Sequence, residues 1–131
     1  MKKTALLFCS VLLATALSAT AQADNEVKTT MKSIGKSFGT AEKTDDLAVI
    51  KAELATLRES VTQVQKLVPE HLKNQPADSA DRKLYTEGLA KLLTQIDAAQ
   101  AAANSGKLGE TKVALANLKA TRNEYHKKLK P

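Results

Sequence analysis

The stretch that decides the fold is Leu47-Ala48-Val49-Ile50-Lys51-Ala52-Glu53-Leu54-Ala55-Thr56-Leu57-Arg58-Glu59-Ser60-Val61-Thr62-Gln63-Val64. Its apolar positions, Leu47, Ile50, Leu54, Leu57, Val61 and Val64, with Val68 beyond, are spaced alternately three and four apart. A helix turns once in ~3.6 residues, so this alternation lays one apolar stripe along one face; a strand would repeat every second residue. The same period appears on both sides of it. Upstream lie Val27, Met31, Ile34, Phe38 and Ala41. Downstream lie Tyr85, Leu89, Leu92, Ile96, Ala99 and Ala103, then, less purely, Leu108, Thr111, Leu115, Leu118, Arg122, Tyr125 and Leu129.

The residues between these segments end helices and start new ones. Thr44-Asp45-Asp46 offers N-cap oxygens to the second segment, and Asp78 and Ser79 do so for the third. Pro69 and Pro76 bracket a polar stretch within the longer middle connection, roughly Pro69 to Ala80, and Asn104-Ser105-Gly106 supplies a left-handed stop before the fourth segment. An isolated amphipathic helix of this length is marginal in water, so four stripes require one shared core. The first and third connections are short, which makes those helix pairs antiparallel neighbours. The expected fold is all-α, an antiparallel up-down-up-down four-helix bundle with crossing angles near ~20°. Composition agrees: 131 residues, 43% hydrophobic, 3% aromatic, with only 5 Gly and 3 Pro, do not suit a sandwich or barrel. The net charge of +6 excludes an acidic disordered tail. Gly35 and Gly39 sit four apart in the first segment, a bare patch open to two readings: local tolerance, or close approach by a neighbour or ligand.

The N-terminus reads differently. Met1-Lys2-Lys3, an apolar run from Ala5 to Ala19, and Ala21-Gln22-Ala23 form the three parts of a secretory leader cleaved after Ala23. The run is short and rich in Ser, Thr and Ala for a membrane span. Cys9 lies inside it rather than at its end, against lipid attachment. The expected organisation is therefore residues 1–23 as leader and 24–131 as the exported bundle. The mature part loses two lysines and no acids, leaving 18 basic against 14 acidic residues, and retains no cysteine. Disulfides, thiolate metal sites, a catalytic thiol and covalent haem attachment are excluded with it.

Few chemically distinctive side chains remain: Met31, Phe38, Tyr85, Tyr125, His71 and His126. In an antiparallel bundle the start of the first helix lies beside the end of the fourth, so Met31 and His126 fall at the same end of the molecule. His126, one turn after Arg122, sits at the edge of the fourth stripe, and an inward-pointing ring is expected. These positions admit two readings. A thioether and an imidazole across a bundle end suit the two axial positions of haem iron. Equally, a methionine on an apolar stripe fills core, and a histidine in a last turn interacts with the helix dipole.

The segment Leu118-Lys119-Ala120-Thr121-Arg122-Asn123-Glu124-Tyr125-His126 resembles the haem-ligand helix of the soluble cytochrome b562 family. So do Gln95-Ile96-Asp97-Ala98-Ala99 and Ala103-Asn104-Ser105-Gly106-Lys107, and Met31, Leu57-Arg58, Pro69 and Gly88 fall in register with no gap. The resemblance implies a periplasmic electron-transfer protein with one non-covalent haem b, held by Met31 and His126 as iron ligands, with Arg122 close to the haem edge. Ile34, Phe38, Leu57, Leu118, Tyr125 and Leu129 can wall the group, as they can form plain core. The lack of mature cysteine separates the chain from cytochrome c′, a similar bundle with a C-x-x-C-H attachment. Two departures stand out: Tyr85 and Leu89 occupy the family's aromatic wall positions on the third helix, and Lys130 stands where the family has a terminal arginine.

Lys127, Lys128 and Lys130, with Lys28 and Lys32 nearby, form a basic rim at the same end, suited to an acidic redox partner or simply to solvent. Nucleic acid is a poor match without interleaved aromatics. His71 reads as a solvated loop residue, not spaced with His126 as a zinc site. No nucleophile–base set, carboxylate pair or phosphate loop appears, so an enzyme is not expected. The expected partners are haem and redox proteins, with the chain itself a monomer. The competing expectation is a haem-free periplasmic bundle with a binding or stress role, which colour alone distinguishes.

Overall fold

The computed structural model describes the backbone of residues 16–129 and the side chains of residues 25–129. The expected leader therefore lies largely outside the described residues, Cys9 included, as does Lys130. Five helices are present among the described residues: α1 (Ala16–Lys43), α2 (Leu47–Val64), α3 (Glu70–Lys73), α4 (Ala80–Asn104) and α5 (Leu108–Leu129). The backbone of α1 runs unbroken across the expected cleavage point between Ala23 and Asp24. No strand occurs among the described residues.

The four long helices bury the stripes read from sequence. Ile50, Leu54, Leu57, Val61 and Val64 of α2 are fully buried, packed with Ile34, Phe38 and Ala41 of α1, Leu89, Ile96, Ala99 and Ala103 of α4, and Leu115 and Leu118 of α5. Met31, Leu47, Tyr85, Leu92 and Leu108 are half-buried at the margin of this core. Trimming one of the fully buried leucines to alanine typically costs about 2–5 kcal/mol.

The helix ends explain the connections. The Asp46 carboxylate accepts from the Ala48 amide at 2.9 Å, and the Ser79 hydroxyl accepts from the Arg82 amide at 3.3 Å. At the end of α4, Gly106 has φ 72°, a left-handed conformation that glycine adopts without a Cβ clash. The Lys107 amide then closes onto the Ala102 carbonyl and the Gly106 amide onto that of Ala103, both at 3.1 Å. Two features of the middle connection differ from expectation. The second helix stops at Val64, leaving Val68 in the connection. Val68 precedes Pro69, and a residue before proline is pushed out of the helical region. The connection also contains the single turn α3, which inserts Leu72 fully into the core while His71 faces solvent.

Cross-links fix the directions. Glu26 near the start of α1 accepts from Gln63 near the end of α2. Arg58 of α2 binds Asp97 of α4 at 2.8 Å, and Val64, six residues on, accepts from Tyr85, twelve residues back. Each sequential pair of long helices is therefore antiparallel, in an up-down-up-down bundle. α1 packs along α2, α2 along α4, and α4 along α5, while α1 and α5 barely touch.

Candidate functional site: the seam between α1 and α5

The two helices meet firmly at only one end. Next to the α1–α2 turn, the Lys112 ammonium donates to the Glu42 carbonyl at 3.0 Å and to the Thr44 carbonyl, and pairs with Asp45 at 3.1 Å. Two turns further along α5, Lys119 binds the Glu42 carboxylate, which holds that carboxyl below its ordinary range. Further along, the Arg122 guanidinium lies over the Phe38 ring, 5.0 Å from its centre. Beyond Arg122, among the described residues, no hydrogen bond or ion pair joins α1 to α5.

The edges of the open half can be read from the clasped half. Positions seven apart on a helix drift by only about 20° around the axis. Lys112, Lys119 and His126 therefore form one line along α5, and the first two meet α1, so His126 continues the α1-facing edge. On α1 the corresponding line is Lys28, Gly35 and Glu42, with Met31 one turn before Gly35. The pairings of Glu42 with Lys119 and Phe38 with Arg122 set an antiparallel register that carries Met31 and His126 into the open half, on facing edges and about one helical turn apart in height.

Met31 is half-buried against the core, as its stripe position implied. The His126 side chain is exposed, a correction to the inward-pointing ring. The physical reason is angular: the apolar centre of α5 runs through Thr111, Leu118 and Tyr125, and position 126 lies nearly a quarter turn from it, at the seam's rim. Beneath the seam, Ile34, Phe38, Leu57, Val61, Leu92, Ile96, Leu118 and Arg122 enclose an apolar void of about 10 Å³, room for one water at most. Gly35 and Gly39 have no atom within 4 Å of where a Cβ would stand, so no helix approaches their bare patch.

Tyr125 does not wall the seam. Its ring is turned onto α4, where a Cβ at Gly88 would lie 2.7 Å from Cδ1 and 2.8 Å from Cγ. Its hydroxyl donates to Glu87 at 2.7 Å, and the ammonium groups of Lys128 and Lys91 lie 5.0 and 5.9 Å from the ring centre. The Glu87 bond, with burial, pushes the phenol up to about 12. Nearby, Gln95 donates to the Thr121 hydroxyl at 2.8 Å. Tyr85 donates to the Val64 carbonyl at 3.2 Å, and burial raises its phenol to about 12. The sequence reading missed the Gly88–Tyr125 contact and the two-lysine clasp. The lysine line was detectable as a seven-residue spacing, but its partners were not. His71 is exposed on α3, and among the described residues no group of three His, Cys, Asp or Glu is placed to hold a metal ion.

The geometry defines the class: an antiparallel four-helix bundle whose α1/α5 seam is unbonded at one end and edged there by a thioether and an imidazole over apolar walls. The comparisons narrow this class. The family model for cytochrome b562 matches residues 26–130, and the chain belongs to that family. Its relatives include the probable soluble cytochrome b562 2 of Yersinia pestis, 41% identical over 98 residues, covering 75% of this chain and 77% of the relative. The probable soluble cytochrome b562 1 of the same organism is 30% identical over 89 residues, covering 68% and 70%. An uncharacterized protein of Pasteurella multocida (strain Pm70) is 35% identical over 85 residues, covering 65% of each chain. The family consists of haem-binding electron-transfer cytochromes and binds b-type haem non-covalently. No described helix is long and apolar enough to cross a membrane.

Proposed function

We propose that the chain is a periplasmic electron carrier that takes one haem b into the α1/α5 seam, with the Met31 thioether and the His126 imidazole as axial ligands. The observation that carries this reading is the seam itself. Two helices clasped at one end and unbonded at the other present the two donors on facing edges. The donor set is a neutral sulfur and a neutral nitrogen, which together favour ferrous iron and raise the reduction potential. The group supplies a one-electron iron couple when bound; the protein supplies everything that tunes it.

Phe38, Leu57, Leu92, Ile96 and Leu118 offer the apolar walls that keep water from the ligands. Arg122, already among those walls and fixed over Phe38, brings a cation to the edge of the site. Tyr125 acts from behind: its ring and hydroxyl fix α5 against α4, and so set where His126 stands. With Met31 and His126 both holding the iron, the group would serve electron transfer rather than oxygen chemistry. Residues 1–23 act as the leader and residues 24–131 as the haem-binding domain; N-terminal sequencing of the exported protein is expected to start at Asp24.

The test is a haemin titration of the mature protein, oxidised and then reduced. A 1:1 endpoint with a sharp reduced α-band is expected. His126→Ala and Met31→Ala should each convert the low-spin spectrum to high spin, while His71→Ala leaves it unchanged. A spectrum equal to that of free haemin, or a change on His71→Ala alone, overturns the assignment.

A further inference from the structure

The charge of this protein is not spread around the bundle. α2 and α4 together carry five Lys or Arg against five Asp or Glu and are neutral. α1 and α5 carry nine against five, a surplus of four. The whole helical excess therefore sits on the two helices that edge the seam.

The described acids on those helices do not cancel it at the open end. Glu26 is turned to Gln63 of α2, and Glu42 is held by Lys119 in the clasp. Glu110 pairs with Lys107 and Glu124 with Lys128. Lys28, Lys32, Lys36 and Lys127 are exposed and have no partner among the described residues, with His126 exposed between the two groups. Lys28 and Lys36 are eight residues apart, about 12 Å along α1. That is comparable to the Debye length of ~10 Å at 0.1 M salt, so their fields add outside the surface.

We infer that the open edge of the α1/α5 seam is the docking surface for an acidic electron-exchanging protein. The inference rests on the electron-carrier reading, since the same two helices would flank the exposed edge of the group. Unpaired lysines around a cleft raise the arrival rate of a negatively charged partner and orient it toward that cleft. A lipid surface fits less well. Among the described residues the exposed large apolar side chains are Val49 on α2 and Val113 at the clasped end of α5, so none of them lies beside these lysines to insert into a bilayer.

The experiment uses the haem-loaded mature protein and, as probe, a strongly acidic plant-type ferredoxin, with binding followed by calorimetry and by amide chemical shifts. Affinity should fall at least about tenfold between low and physiological salt. Shifts should concentrate on residues 28–36 and 122–129. The triple variant Lys28→Gln/Lys32→Gln/Lys36→Gln should lose about tenfold at low salt. The control Lys51→Gln/Lys66→Gln/Lys83→Gln, with the same change of net charge on the other side, should stay within about twofold. Equal losses in both triples, salt-independent binding, or shifts elsewhere overturn the surface. So does capture by phosphatidylglycerol vesicles but not by ferredoxin. Haem uptake is scored first from the spectrum, and the titration is repeated on haem-free protein. A chain that binds the probe at this edge without taking up haem refutes the carrier reading and leaves the surface standing.

Discussion

The two flanks of α5 are built on opposite rules. Toward α4 the contact is close and self-locking: the Tyr125 ring lies on the bare backbone of Gly88, Glu87 accepts the phenol's hydrogen bond, and Gln95 reaches Thr121. Toward α1 the contact is a handful of lysine bonds at one end and nothing comparable at the other. Packing of the first kind fixes a register permanently. Contact of the second kind holds two helices near each other at one end and leaves the rest of their seam without hydrogen bonds or ion pairs among the described residues. The lesson lies in two consecutive residues: Tyr125 is buried on one flank, and His126 is exposed on the other. A step of about 100° around the helix separates a residue locked against α4 from one at the seam's rim.

That contrast makes its strongest prediction on the same pair. In haem-free protein, Tyr125→Ala should lower the melting temperature by more than about 10 °C, as expected for deleting a buried aromatic. His126→Ala should move it by less than about 3 °C, as for a surface change. Calorimetry on both variants checks this, and equal losses would erase the distinction between the flanks.

Glycines come next, with opposite signs. Gly88→Ala drives a Cβ into the Tyr125 ring and should destabilise by about 1–3 kcal/mol. Gly35→Ala meets open space on an exposed helix and should stabilise by about 1 kcal/mol. Urea unfolding of each variant gives the sign. A stabilising Gly88→Ala would mean that the close approach to Tyr125 is not what holds the α4 flank.

The smallest effects concern pH. Glu42 is held below its ordinary range by the Lys119 bond. Its contribution is therefore present above the usual carboxylate pKa and is lost as pH falls through the lowered value. Tyr125 is raised to about 12, so its contribution is full below about 10 and is lost as pH rises through the raised value. Acid should thus loosen the α1 flank and alkali the α4 flank. Titrating the Glu42 carboxyl by NMR in Lys119→Ala should return it toward the ordinary range, and high salt should have a similar effect on the intact clasp.

Most of the architecture was legible because each stripe repeats a helical period and each boundary carries its own chemistry. Asp46, Ser79 and Gly106 all act as their residue types suggest. What stayed illegible depended on partners distant in the chain. A stripe containing Leu118, Arg122, Tyr125 and Leu129 gives a direction but not which neighbour each side chain meets. Tyr125 turned to α4 because a glycine stands opposite it there. Leu72, flanked by two prolines in a polar connection, gave no period at all, yet it anchors that connection in the core. At the site, residue types and bundle end were readable from sequence; the clasp that leaves the seam open was not, because the lysines on α5 and their acceptors on α1 and in its turn are about seventy residues apart.

The left-handed glycine at 106 has its consequence in time. By reversing the chain within a few residues, as the equally short α1–α2 turn also does, it makes the α4–α5 hairpin one of the two cheapest long contacts for the unfolded chain to close, since loop-closure cost rises with loop length. Helical proteins rich in such local contacts fold in microseconds to milliseconds. The locked flank can therefore form early, around a short turn. The α1 flank waits on partners at the far end of the chain, so the seam is the last part of the molecule to be defined and the first to be available when the chain breathes.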